Sequence, residues 1–173
     1  MQETPQVLIV MGSDSDLPIM QEAGNVLEQF GIAYEIRISS AHRAPAKTAE
    51  LASKAAERGI KIIIAGAGVA AHLAGVVASK TILPVIGVPT PGGALNGVDA
   101  LYATVQMPAG IPVATMAVGK AGAKNAGLFA VQVLSLNEPR LAQAMIDYRK
   151  QMELELEQKD AELQASRKAG TRD

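Results

Sequence analysis

The sequence predicts a three-layer α/β protein in which a doubly wound, parallel, five-stranded sheet lies between helices and a C-terminal helix follows. Three observations carry that reading. Short apolar runs recur about every 25 residues. Each run is closed by a break marked by Gly, Ser or Pro and then by a segment of helical period, which is the pattern of βα units. Such runs mark strands of a parallel sheet buried on both faces. No repeat, linker or low-complexity stretch divides residues 7–137, so they read as one domain.

The first strand is Val7–Met11, five apolar residues in a row, and a helix over 17–30 ends at Gly31. Tyr34–Ile38 is the second strand. The helix over 45–58 has Pro45 in its first turn and Gly59 behind its last, the usual asymmetry of helix ends. Strands over 61–65, 85–88 and 113–117 alternate with helices over 71–79, 98–105 and 121–135. The longest helix runs from Glu138 to about Ser166, with Asn137 as N-cap and Pro139 in the first turn. Along it Leu141, Met145, Tyr148, Met152 and Leu156 form one narrow apolar seam, to be buried on its own domain or on another chain. Beyond Leu156 charged and amide residues dominate, so the helix should fray or end in solvent, with a disordered tail over 169–173.

Composition narrows the function. A chain of 173 residues with 49% hydrophobic content can bury a sizeable core. Only 3% of it is aromatic, so Val, Ile, Leu, Met and Ala must fill that core. The 16 Lys+Arg against 17 Asp+Glu supply no basic field for nucleic acid or an anionic membrane, and an anionic ligand must be caught locally. The lack of Cys removes disulfides, thiolate metal sites and Cys nucleophiles, and fits a reducing compartment. With only His42 and His72 and no carboxylate cluster beside them, a metal site is not expected. No basic leader or long apolar run begins the sequence, so a soluble cytoplasmic protein is expected.

In doubly wound sheets ligands lie beyond the carboxyl ends of the strands. The loop Gly12-Ser13-Asp14-Ser15-Asp16 opens into a helix, where hydroxyls and free N–H groups suit a phosphate. A capped helix start is the plain alternative. The loop Ser39-Ser40-Ala41-His42-Arg43-Ala44-Pro45 sets a titratable imidazole beside a bidentate anion donor, though the pair can equally sit idle on a connecting loop. The stretch from Ala65 through Gly66, Ala67, Gly68, Val69, Ala70, Ala71, His72 and Leu73 to Gly75 is nearly free of large side chains. It suits either close approach of a flat heterocycle or close packing of helix on sheet. The polar, Gly-rich loop from Pro89 to Gly97 is long enough to act as a lid.

Taken together, Met11–Asp16, Ser40-Ala41-His42-Arg43, Ala65–Gly68 with Ala70–Leu73, Pro84–Pro89, Val105–Pro108 and Asn125-Ala126 resemble the class I N5-carboxyaminoimidazole ribonucleotide mutases of purine biosynthesis. The resemblance spans about residues 6–150 in unbroken order. Val69 stands where that family usually has Gly, Ala74 where it has Pro, and Thr90 to Gly93 differ from its lid. The resemblance implies a flavodoxin-like fold and conversion of N5-carboxyaminoimidazole ribonucleotide into 4-carboxy-5-aminoimidazole ribonucleotide through a CO2 intermediate, without metal, cofactor or ATP. It implies that Ser13, Ser40 and Arg43 hold the 5'-phosphate, that Asp16 takes the ribose hydroxyls, and that His42 is the acid and base. Ala41 and the stretch Gly66, Ala67, Gly68, Ala70, His72 and Leu73 would face the substrate, the latter its base and carboxylate. It further implies a homo-octamer whose C-terminal helices, over 138–168, lie on neighbouring subunits. Two other readings stand beside it. A class II enzyme would carboxylate aminoimidazole ribonucleotide directly with CO2. A flavodoxin-like binding or signalling module would need a phosphoacceptor Asp after strand three or aromatic stacking residues near its site, and the sequence has neither.

Overall fold

The computed structural model describes residues 4–169. Strands β1 (Val7–Met11), β2 (Tyr34–Ile38), β3 (Ile62–Gly68), β4 (Val85–Thr90) and β5 (Ala114–Thr115) form one parallel sheet. The strand order is β2-β1-β3-β4-β5, the flavodoxin-like order, in which the direction of winding reverses between β1 and β3. Helices are α1 (Leu17–Gln29), α2 (Pro45–Ser53), α3 (Leu73–Ala78), α4 (Val98–Val105), α5 (Lys120–Ser135) and α6 (Pro139–Ala169). Contacts divide the chain into two compact units, one ending at Ala130 and one beginning at Val131.

In the first unit, alternation along the central strands builds two cores. Leu8 and Val10 of β1 and Ile63 and Ala65 of β3 join Ala52 of α2 and Leu73, Ala74 and Val77 of α3 in one buried cluster. Val7, Ile9, Met11, Ile62 and Ile64 project to the other face and are equally buried, together with Met20, Ala23 and Leu27 of α1. Full burial of each such Leu, Ile or Met side chain contributes ~1.5–3 kcal/mol. The scarcity of aromatics has a structural counterpart in how closely the helices approach. A Cβ placed on Gly127 of α5 would lie 2.9 Å from the Ala23 carbonyl of α1.

The strands and helices depart from the sequence expectations at their ends, and the causes are local. The Gly-rich stretch 66–68 is not a loop but the end of β3, because Ala67 and Gly68 pair with Pro89 and Thr90 of an equally lengthened β4. Gly and Pro read as breaks in the sequence, yet here they leave room for two strand ends to run on together. β5 shrinks from 113–117 to two residues, since only Ala114 and Thr115 stand in register with β4, opposite Ile86 and Gly87. The helix expected over 45–58 stops at Ser53, and a separate 3-10 turn, Ala56–Arg58, ends at Gly59 with φ +87°. The helix expected over 71–79 is shorter, because the N–H groups of Ala71 and His72 turn back to the carbonyls of Val69 and Ala70.

In the second unit, Val131, Leu134, Leu141 and Met145 are buried and Tyr148 is half-buried. Met152 and Leu156, the other members of the seam, are 52% and 70% exposed. The Glu138 carbonyl accepts the first helical hydrogen bond, from Ala142, so Glu138 rather than Asn137 holds the cap position. α6 runs on past Leu156 to Ala169, close to its expected end, and its side chains from Arg149 to Arg167 lie in solvent. Amide–carboxylate pairs one turn apart support it: Gln151 with Glu155, Gln158 with Glu162 and Gln164 with Asp160. Each such pair contributes ~0.2–0.5 kcal/mol. Of the tail expected to be disordered, residues 170–173 lie outside the described residues, and Ala169 closes the helix. Among the described residues no helix is long and apolar enough to cross a membrane.

Candidate active site

The turns after β1 and β2 and the ends of β3 and β4 line one cavity of about 440 Å³. The parallel register delivers them to the same edge of the sheet. Met11 pairs with Gly66 on one side and Ile38 on the other, and Gly66 pairs with Val88, so all four strands finish side by side.

The first turn folds on itself as a capping box. Ser13 Oγ accepts from the Ser15 N–H at 3.4 Å, while the Asp16 carboxylate accepts from the Ser13 N–H at 3.2 Å. Ser13 Oγ donates to Asp14 at 2.9 Å, and this bond, with the Asp14 and Ser15 N–H groups and the Arg43 charge, holds the Asp14 carboxyl below its usual value.

The second turn is pinned from below. Ser39 and Thr48, both buried, share a hydroxyl–hydroxyl bond of 2.8 Å, and Thr48 Oγ1 also donates to the Ala44 carbonyl, so Ser39 is the donor between them. Ser40 Oγ accepts from the Arg43 N–H at 3.2 Å. The Arg43 guanidinium crosses to the first turn and donates to the Gly12 carbonyl at 2.9 Å. One of its five N–H groups is used in this way, which orients the rest of the fork. On the same turn, His42 Nε2 lies 2.8 Å from His72 Nδ1, with the rings edge to face. Facing nitrogens at that distance share a single hydrogen, so the tautomers of the two rings are linked.

Of the residues expected from the sequence, Ser13, Asp16, Ser40, Ala41, His42, Arg43, Ala67, Gly68, Ala70 and Leu73 all line the cavity. His72 is not in its wall and joins the site through His42. Gly66 is not in the wall either. It lies buried within β3, where a Cβ would run into Met20 of α1, so its smallness serves helix-on-sheet packing. Gly12, Ser15, Val69, Thr90, Pro91 and Gly92 complete the lining. Gly12, Ser15 and Val69 belong to loops that the sequence turns toward a ligand, whereas Thr90, Pro91 and Gly92 are expected only as part of a lid, although Thr90 follows Pro89 at a strand end. Val69 has φ +56°, a left-handed conformation that is unfavourable for a β-branched residue. A Cβ on Gly93 would lie 3.4 Å from its Cγ2, so the isopropyl group faces the β4–α4 loop across the cavity mouth.

The model of the family described as AIR carboxylase matches residues 6–155. The chain belongs to the AIR carboxylase family. It is 54% identical to an N5-carboxyaminoimidazole ribonucleotide mutase of Pyrococcus horikoshii, over 94% of this chain and 90% of that one. It is 50% identical to the mutase of that name from Mycobacterium tuberculosis, over 99% and 97% of the two chains. Among solved structures of this fold, Treponema denticola PurE superposes with a TM-score of 0.83 at 31% identity, covering 92% of this chain and 98% of that one. The family thus accounts for the α/β architecture and for nearly the whole length of both units.

Proposed function

We propose that this chain is an N5-carboxyaminoimidazole ribonucleotide mutase of purine biosynthesis, an isomerase that moves a carboxyl group from nitrogen to carbon through CO2. The observation that carries the reading is a cavity in which His42, backed by His72, an Arg fork and a carboxylate meet a wall of small residues. Identity above half to relatives bearing that name supports it.

Ser13, Ser40 and Arg43 are arranged to take the 5'-phosphate, since Arg43 presents a charge-assisted fork beside two hydroxyls. Asp16 takes the ribose hydroxyls, and Ala67, Gly68, Ala70 and Leu73 give the flat base and its carboxylate close approach. His42 donates a proton to the carbamate nitrogen. The N–C bond breaks with its electron pair left on that nitrogen, and CO2 is released. Carbon 4 of the ring then attacks CO2, and the proton on that carbon returns to the imidazole, leaving the enzyme unchanged. The bond between the rings serves this cycle. With His42 donating from Nε2 to His72 Nδ1, the ring keeps one orientation in both protonation states and presents Nδ1 to the substrate.

In this reading residues 1–137 form the catalytic domain and 138–168 a helix that lies on a neighbouring subunit in a homo-octamer. The exposed Val98, Tyr102 and Val105 share one face of α4, and the exposed Met152 and Leu156 lie one turn apart on α6. Such clustered apolar surface supports self-association. The Cys-free composition supports a cytoplasmic location.

The deciding experiment is incubation with N5-carboxyaminoimidazole ribonucleotide, with EDTA present and ATP absent, followed by detection of the carbon-carboxylated product. Conversion is expected. No conversion refutes the proposal, and product arising only from aminoimidazole ribonucleotide with CO2 replaces it by the direct carboxylase.

A further inference from the structure

Asp16 is held at both oxygens. Oδ2 accepts from the Ser13 N–H at 3.2 Å within its own turn, and Oδ1 accepts from Thr90 Oγ1 at 2.9 Å across 74 residues of sequence. The local bond alone would leave the carboxylate free to rotate about its own axis. The second bond removes that freedom and ties the turn after β1 to the end of β4. Thr90 is well placed to do so, because it is the last residue of β4 and is 1% exposed, so its hydroxyl has little choice of partner.

Its ladder partner completes the arrangement. A Cβ on Gly68 would lie 2.7 Å from Thr90 Oγ1 and 3.0 Å from the Thr90 carbonyl. Any larger residue there would displace the hydroxyl that reaches Asp16. The wall of small residues therefore does more than admit the ligand, since it makes room for a buried donor aimed at a carboxylate.

We propose that Thr90 is a positioning residue for ribose recognition: its hydroxyl fixes the Asp16 carboxylate in the orientation that receives the ribose hydroxyls. This inference rests on the reading of Asp16 as the ribose contact. Thr90 acts through Asp16, so its loss should change affinity for the sugar rather than the chemistry at His42.

The test compares aminoimidazole ribonucleotide with its 2',3'-dideoxy counterpart, by calorimetric titration of the wild type, Thr90→Val and Thr90→Ser. Valine keeps the shape and removes the hydroxyl, whereas serine keeps the hydroxyl. The wild type should prefer the ribonucleotide. In Thr90→Val that preference should shrink about tenfold, the lower end of what a hydrogen bond to a charged group contributes. Binding of the dideoxy compound should not change. KM for the carbamate substrate should rise in parallel while kcat holds, and Thr90→Ser should restore both ratios. Undiminished preference in Thr90→Val, or equal weakening of both ligands, overturns the role of Thr90 alone. A wild type that binds both nucleotides equally overturns the ribose reading of Asp16 and the inference with it.

Discussion

Replacing His42 by Asn removes the only imidazole in the cavity wall while disturbing little else. The side chain is exposed and so is its partner His72, so no apolar burial is lost. The change in folding stability should stay within ~0.5 kcal/mol, as for surface substitutions generally. The bond to His72 is lost with the ring, but none of the bonds that orient Ser13, Asp16 or Arg43 passes through His42. Nucleotide affinity should therefore persist. Proton transfer should not, and loss of a general acid/base lowers turnover by about 10² to 10⁴, which is ~3–5 kcal/mol in activation free energy. The assay is single-turnover formation of the carbon-carboxylated product, with nucleotide affinity and melting temperature measured on the same preparation. A folded variant that turns over within about threefold of the wild type would place the proton chemistry elsewhere.

Arg43→Ala should weaken the ribonucleotide far more than the corresponding nucleoside in binding measurements, because a charge-assisted fork to phosphate is lost; equal weakening would remove Arg43 from the phosphate site. Val69→Gly should increase stability by up to about 1 kcal/mol, the left-handed cost of ~1–2 kcal/mol less the entropy of a new glycine, and so raise the melting temperature. Burial and the 2.6 Å bond to Glu28 raise the Tyr34 phenol above its ordinary value, so its contribution is complete below pH 10 and is lost as pH climbs through the raised value. Tyr34→Phe should then flatten the alkaline arm of a stability–pH curve, and an unchanged arm contradicts the assignment. Truncation after Asn137 should yield smaller, less active assemblies in sedimentation, and an active monomer of the intact chain at micromolar concentration would rule out the octamer.

Much of this architecture was legible in the sequence because its signals are local. Val7–Met11 and Tyr34–Ile38 fall where unbroken or half-buried apolar runs place them, and α4 matches its apolar period from end to end. The site loops were legible because the carboxyl ends of parallel strands are where side chains with unusual chemistry gather. What the sequence concealed depends on pairing across long separations. Gly66–Gly68 reads as a loop until β4 is laid beside it, and that Gly66 is the position that makes space for Met20 is seen only with α1 in place. Thr90 looks like an ordinary strand end, since its importance lies in a bond to a carboxylate in another turn. The pairing of His42 with His72 likewise joins two turns that no periodicity connects.

From Arg149 through Arg167 every residue of α6 is exposed. A segment of that kind obeys helix–coil statistics, because its order comes from backbone bonds and weak neighbour pairs rather than from a core. On heating, the outer turns of α6 should lose ellipticity gradually, ahead of the cooperative melting of the sheet, and the slope of the native baseline measures how much of the helix is uncovered. Burial against another chain would steepen that loss into the main transition as protein concentration rises. The baseline of a melting curve thus becomes a reporter of assembly that needs no label and no substrate.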